Sequence, residues 1–416
     1  MESVFRRQAE SGWAQSVFRR VAILLFMLGP GLVLNFALSY GAAKILPAAD
    51  FASFYVALSL IIVLTAPSTV LAFHLSRQMQ GLDLPAKFHA TRHFAWLVVR
   101  WGGLVALGLT LVLALLGTLV GIQSLFVVVG IVLVTWSTYL VDVGRGFLQS
   151  TQQVFRLGLL GLGWMGGRFV LGLALLALTN MAWPGLIGLA LSGVLATIWI
   201  FIGKEKTGQA DIIDIHKLSG LLPFSLCYCL SLSLCFFDLI IGHLSIDRME
   251  LGFYAASAVL PKTIVTLTLP VLQVAFPMAL EHPDRTAFPM PIVKSLVATA
   301  VLSLGAAVVL WLGSDLLCSG GIGIAGCRDS QIAVMGFTTV PLVLVRVLVV
   351  MQTARGTVWH SLHLLAPIAA FGAFELLGDL SSSGLALRFA WFGWAVLLYY
   401  AGLVALDVGR SRKRLI

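Results

Sequence analysis

The chain has 416 residues, of which 59% are hydrophobic and only 11% charged, against roughly 25% charged in an ordinary soluble protein. That composition excludes a water-soluble globular fold. The net charge of +9 does not point to nucleic acid, because the basic residues lie mostly in short loops and no zinc spacing or phosphate loop occurs; a positive-inside loop bias produces such an excess by itself.

Apolar runs recur from residue 21 onward, each long enough to cross a hydrocarbon layer about 30 Å thick at about 1.5 Å per residue. They predict an all-α polytopic membrane protein with about 12 transmembrane helices, at 21–43, 52–76, 94–117, 122–147, 157–178, 184–202, 220–242, 252–280, 293–312, 331–351, 361–377 and 385–406. An even number of spans puts both termini on one side. Nineteen of the 27 Lys and Arg residues, Arg145 among them, flank that side, whereas only Lys44, Arg248, Arg328 and Arg388 flank the other. Both termini are therefore expected in the cytoplasm. The expected organisation is a basic N-terminal segment (1–20), a six-helix bundle (21–202), a cytoplasmic linker (203–218), a second six-helix bundle (219–406) and a basic cytoplasmic tail (407–416). Outer loops are short, so no extramembrane domain is expected.

In the first span, Gly29-Pro30-Gly31 predicts a kink, because proline removes a helix donor. Asn35 and Ser39 then share a face, either lining a cavity or bonding to a neighbouring helix. Glycines at 158, 161, 163, 166 and 167 make the fifth span a close-packing helix. A charge at mid-bilayer costs about 2.5–3.5 kcal/mol on insertion scales, so such a residue normally faces a wet cavity or a partner. Arg168 and Lys262 are expected near the midplane, one from each half, either as site residues or paired with carboxylates such as Asp142 or Asp238. Lys262, Thr266 and Gln273 fall near one stripe of the eighth span, which suits a hydrated cavity. Arg346 either joins the site or snorkels to lipid phosphates, as Arg100 is expected to do. Asp142 lies one turn before Arg145, which suits an i, i+3 ion pair. Asp142, Asp238 and Glu375 are the candidates for binding a coupling proton or cation, with an exposed interfacial acid as the alternative for Glu375. Cys227, Cys229 and Cys235 read as packing residues. Cys318 and Cys327 bracket a Gly-rich outer loop, where a disulfide and two free thiols remain equal readings.

An acid-apolar-small-any-aromatic pattern occurs as Asp50-Phe51-Ala52-Ser53-Phe54 and as Glu250-Leu251-Gly252-Phe253-Tyr254, 200 residues apart. Leu148-Gln149-Ser150 and Met351-Gln352-Thr353 echo one another at nearly the same shift. Six spans per half is even, so the halves share one orientation and are related by a pseudo-twofold axis along the membrane normal. Parallel repeats of this kind point to a transporter whose substrate path runs between the halves.

The stretch 42–54, Ala-Ala-Lys-Ile-Leu-Pro-Ala-Ala-Asp-Phe-Ala-Ser-Phe, resembles the first-loop signature of polysaccharide flippases of the O-antigen type, in the multidrug/oligosaccharidyl-lipid/polysaccharide exporter superfamily. Arg145-Gly146-Phe147-Leu148-Gln149 resembles that family's fourth-span exit. Asp238 through Gly252-Phe253-Tyr254-Ala255-Ala256 to Pro277 resembles its seventh and eighth spans. The resemblance fades after about Leu312, and Ala52 stands where the family usually has glycine. It implies a non-enzymatic flippase in the bacterial cytoplasmic (inner) membrane, moving a lipid-diphosphate-linked oligosaccharide or polysaccharide precursor by alternating access. It implies no cofactor and no metal. Membrane lipid surrounds the chain, and a polysaccharide synthase or polymerase is the expected protein partner. About two negative charges on a lipid diphosphate would suit a clamp of Arg168 and Lys262.

Two other functions compete. A multidrug exporter of the same superfamily would ordinarily carry a carboxylate in its first span, and no Asp or Glu occurs between Val21 and Ala49. A membrane-embedded glycosyltransferase or polymerase would need catalytic residues in a sizeable outer loop, and the outer loops here are short.

Overall fold

A computed structural model of the chain describes residues 2–79, 82–117, 124–151, 153–201, 221–272, 290–319, 328–354, 362–376 and 381–413. Among them there is no strand, as expected where lipid offers backbone groups no hydrogen-bond partner and each segment must satisfy its own.

The segments, taken as ordinals in chain order, are Glu2–Ile45, Ala48–Leu64 continued by Ala66–Gln78, Leu84–Gly117, Leu125–Ser150, and a fifth composed of Val154–Gly167, a π turn at Arg168–Gly172 and Leu173–Thr179. The sixth to ninth are Ala182–Phe201, Leu221–Ser245, Arg248–Leu267 and Met290–Ser319, and the last three are Asp329–Ala354, Leu365–Leu376 and Ser382–Lys413. Ten of these among the described residues are long and apolar enough to cross a membrane. The third adds a crossing as a pair bent by 45°, Leu84–Gly102 and Leu107–Leu113, and the eleventh is a shorter apolar helix. The expected linker 203–218 lies outside the described residues.

The two halves pack alike. The fourth segment sits at the centre of the first half against the second, third and sixth, and the tenth sits at the centre of the second half against the eighth, ninth and twelfth. The first packs on the fifth as the seventh packs on the eleventh. The halves meet where the first crosses the eighth, the second crosses the seventh, and the second and eighth face each other. This is the two-bundle, pseudo-twofold arrangement that the internal repeat implies.

Small residues set the close approaches. A Cβ on Gly158 would lie 2.6 Å from the Cβ of Met27, and one on Gly31 would lie 2.8 Å from the sulfur of Met165, so the first and fifth segments touch nearly backbone to backbone. Gly163 meets nothing within 4 Å and takes no part. The first helix runs through Pro30 without a break, so the kink expected there does not interrupt it. Breaks occur instead at Thr65 in the second segment and Thr268 in the eighth, each two residues before a proline, Pro67 and Pro270.

One end of the bundle pair is sealed. Where the first segment turns into the second and the seventh into the eighth, hereafter the distal end, a Cβ on Gly252 would lie 2.5 Å from the carbonyl oxygen of Ala48. Leu46, Phe51, Ala52, Phe54, Leu251 and Tyr254 are buried around that contact. The repeated pattern read from the sequence is thus the distal plug, its two copies pressed together across the axis. Of the cysteines, Cys318 is disulfide-bonded and Cys227, Cys229 and Cys235 are free thiols; Cys327 lies outside the described residues.

Candidate functional site

A cavity of about 180 Å³ lies between the halves. Its lining runs from Ser39 and Asn35 of the first segment down to Leu28, from Tyr55 of the second to Thr69, and along the eighth from Val259 to Leu269. Most of it belongs to the half of each segment away from the distal plug, and most of the remainder, from Asn35 and Ser39 to Tyr55 and Ile61, lies in the distal half of the first and second segments. The cavity therefore faces the end that carries the N-terminus and is closed towards the other.

Four cations and two carboxylates gather at this cavity. Asp142, Arg145, Arg168, Lys262 and Arg346 line it, and Asp238 stands directly behind Lys262 at 2.5 Å, so two positive charges are in surplus. Their surroundings differ. Asp142 on the fourth segment accepts from Arg145 Nη1 at 2.7 Å, one helical turn away, and from the Ser68 hydroxyl of the second. The Arg145 guanidinium lies over the Trp164 ring, 4.7 Å from its centroid, and Arg168 lies over the same ring at 5.3 Å. Arg168 has no hydrogen bond or ion pair among the described residues, and its Nε is buried without a partner. It stands on the first residue of the π turn Arg168–Gly172. A π turn inserts one residue into the helical register and so re-aims the side chains beyond it. The sixth segment makes room for the bulge, since a Cβ on Gly188 would lie 2.5 Å from the Leu171 carbonyl oxygen.

Lys262 donates to Asp238 Oδ1 and to the Cys235 carbonyl, while the Tyr254 hydroxyl donates to Asp238 Oδ2 at 2.7 Å. Phe236 and Phe389 rings flank the ammonium at 5.3 and 5.0 Å. Lys262 is 6% exposed and Asp238 0%. Each oxygen of Asp238 thus accepts from a protein donor, one from Lys262 and one from Tyr254. Arg346 is 3% exposed. It donates Nη1 to the Val265 carbonyl at 3.0 Å and Nη2 to the Tyr228 hydroxyl at 2.6 Å, stacks on that ring, and keeps a buried Nε without a partner. Buried guanidinium N–H groups without acceptors are costly unless an anion or water takes them.

The sequence-based candidates fare unevenly. Arg168, Lys262, Arg346, Thr266 and Asn35 all line the cavity. Asn35 has no side-chain hydrogen bond among the described residues, so the interhelical alternative is absent there, and Thr266 bonds its own helix at the Thr263 carbonyl. Gln273 lies outside the described residues. Arg346 does not snorkel: it points inward because Tyr228 and the Val265 carbonyl solvate it. Glu375 is neither an exposed interfacial acid nor at the cavity; it is 0% exposed and paired with Arg388 at 2.8 Å, since a buried carboxylate in the eleventh segment needs a cation from its neighbour. The charge asymmetry places Arg145 among the flanking residues of the cytoplasmic side, whereas in the structure it is buried at the cavity. The fourth segment continues to Ser150, which carries Arg145 one full turn inside the helix. The Asp142 to Arg145 spacing was the available signal, whereas nothing in the sequence announced Trp164 as the ring shared by two arginines.

No family model matches the chain, and no curated protein matches it. Solved structures do. A eukaryotic MATE transporter superposes with a TM-score of 0.64 over 96% of this chain and 100% of its own at 13% identity. An inward-facing multidrug-resistance MATE family transporter of the MOP superfamily gives 0.65 over 94% and 99% at 14% identity. A MOP superfamily transporter from Pyrococcus furiosus, for which reverse polarity of the binding pocket suggests a different function, gives 0.63 over 94% and 95% at 12% identity. These likenesses sit closer to the multidrug alternative than to the flippase reading. At such identities they speak for architecture: the chain has the fold of the MATE transporters of the MOP superfamily.

Proposed function

We propose that the protein is an alternating-access transporter whose cargo is an anionic amphiphile. A lipid-diphosphate-linked oligosaccharide or polysaccharide precursor is the first candidate. The observation that carries this is a pair of cavity guanidinium groups, Arg168 and Arg346, one from each half, that have no carboxylate partner among the described residues. A diphosphate presents acceptors that such groups bind bidentately. The cavity is too small for several sugars, so in this state it fits the phosphate headgroup, and the glycan requires a wider opening. In this reading both termini are cytoplasmic, the membrane is the bacterial inner membrane, the cavity faces the cytoplasm, and a polymer synthase or polymerase takes the product.

A second reading has its own support. The likeness to multidrug-resistance transporters favours an exporter of drugs, and the buried pairs Asp142–Arg145 and Asp238–Lys262 would supply the carboxylates for cationic cargo if their partners swung away.

The test is translocation of a fluorescent lipid-diphosphate-linked sugar in proteoliposomes, with efflux of a cationic dye measured alongside. Arg168→Ala should slow flipping about tenfold or more, the loss of one charge-assisted contact. Dye efflux without flipping would replace the anionic reading with the second one.

A further inference from the structure

The two segments that break at the cavity carry related devices at equivalent places. Each breaks two residues before a proline, so the proline cannot supply the N–H that the carbonyl four residues back would accept, and neighbouring carbonyls are freed as well. Within a membrane each needs another donor. In the second segment the donors are neutral. Thr65 Oγ1 reaches the Ile62 carbonyl at 3.2 Å, the Tyr139 hydroxyl of the fourth segment reaches the Leu64 carbonyl at 3.4 Å, and the Cys229 thiol approaches the Val63 carbonyl at 3.9 Å. In the eighth segment the Thr268 hydroxyl and Arg346 Nη1 both donate to the Val265 carbonyl at 3.0 Å.

Thr65 and Thr268 correspond across the pseudo-twofold and cap equivalent carbonyls, Ile62 and Val265, whereas Tyr139 and Arg346, on the corresponding fourth and tenth segments, stand about one turn apart in register and reach different carbonyls. One half closes its break with a phenol, the other with a guanidinium that also lines the cavity. Further up the eighth segment, Lys262 is fixed to Asp238 of the seventh. The part above the break is therefore anchored, and the part below it is tied to the tenth segment through Arg346.

Resting on the anionic-cargo reading, we infer that Arg346 latches a hinge at Thr268–Pro270 and that an anion in the cavity releases it. A phosphate oxygen is a stronger acceptor for a guanidinium than an amide carbonyl. Once Nη1 turns to the anion, the Val265 carbonyl loses its inter-segment donor and the eighth segment bends at the break. The second segment, held by neutral donors, does not respond. The cargo is thereby sensed in one half only.

Hydrogen exchange of the full chain in detergent, with and without inorganic pyrophosphate and with its binding followed by calorimetry, tests this. Pyrophosphate should speed exchange over 263–272 about tenfold, as expected for losing one charge-assisted bond at a local opening, and leave 60–69 unchanged. Arg346→Gln should exchange fast over 263–272 without pyrophosphate and respond no further. Pro270→Ala, which leaves Arg346 intact and restores a helix donor, should exchange more slowly than the native chain with a blunted response, and combined with Arg346→Gln it should bring the slow exchange back. Native-like exchange in Arg346→Gln, or native-like exchange and response in Pro270→Ala, would overturn the latch. Pyrophosphate that binds without changing exchange would overturn its release by anion. Absence of binding to the native chain would remove the anionic-cargo reading and the release together, while fast exchange in Arg346→Gln would still establish the latch.

Discussion

Arg168 and Lys262 line one cavity from opposite halves, yet their neighbours make them opposite cases. Removing the lysine strands Asp238, which is fully buried and engaged on both oxygens. Breaking a buried pair from one side costs about 3–5 kcal/mol, whereas replacing both partners is close to neutral. Lys262→Met should therefore lower the unfolding midpoint sharply, and Lys262→Met combined with Asp238→Asn should recover most of the loss in a thermal-denaturation series. Lost transport in Lys262→Met alone thus reports on folding, not on cargo. Arg168 has only the Trp164 ring as a described partner, a contact worth about 0.5–2 kcal/mol. Arg168→Ala should shift the midpoint little while transport falls, and an equal fall in both would show that the residue is structural. At this scale the sequence exposed the buried cations through their cost in lipid and offered Asp238 among the carboxylates that could pair with them, but not which cation would take it. Lys262 and Asp238 are 24 residues apart on different helices, and only packing brings them within bonding distance.

The decisive elements are irregular ones. Arg168 opens a single π turn, and Gly188 on the sixth segment leaves the space that its Leu171 carbonyl occupies. Gly188→Ala should press a methyl group against that backbone, at about 1–3 kcal/mol for overpacking, and reduce transport through the displaced arginine. Gly29→Ala, with nothing within 4 Å, should cost no stability. The same scan of melting points and transport rates checks both; indistinguishable variants would mean that the π turn relaxes freely. Apolar length made the spans themselves legible, because twenty-odd lipid-compatible residues admit little besides a helix. The glycine-rich run in the fifth segment announced close packing, but the proline expected to break a helix was Pro30, and the breaks lie before Pro67 and Pro270 instead. A π turn has no composition of its own, since it arises from the fit between two helices.

For the whole molecule, the proposed alternating-access transport requires the distal plug to part. Gly252 and Ala48 lie so close that a Cβ on Gly252 would sit 3.1 Å from that of Ala48, a few tenths of an ångström short of the roughly 3.5–4.5 Å of a disulfide. Ala48→Cys with Gly252→Cys should cross-link once the backbone shifts to clear the Ala48 carbonyl oxygen, 2.5 Å from a Cβ on Gly252, block transport when oxidised and release it on reduction, with the reduced double variant as the control for that shift and the reduced native chain as the control for Cys318, which is already disulfide-bonded. Unimpeded transport by the cross-linked protein would show that the plug is not a moving gate. By itself the sequence determined that the chain is helical, that it lives in a membrane and that it is built twice, because those properties follow from transfer free energy and from similarity at a fixed shift, which are local in the chain. Tertiary structure decided which charges pair, which face the cavity, which end is closed and where the helices break. Each of those depends on distances between segments far apart in sequence, and in a low-dielectric interior it is the neighbour, not the residue type, that decides whether a cation is a structural strut or a ligand-binding group.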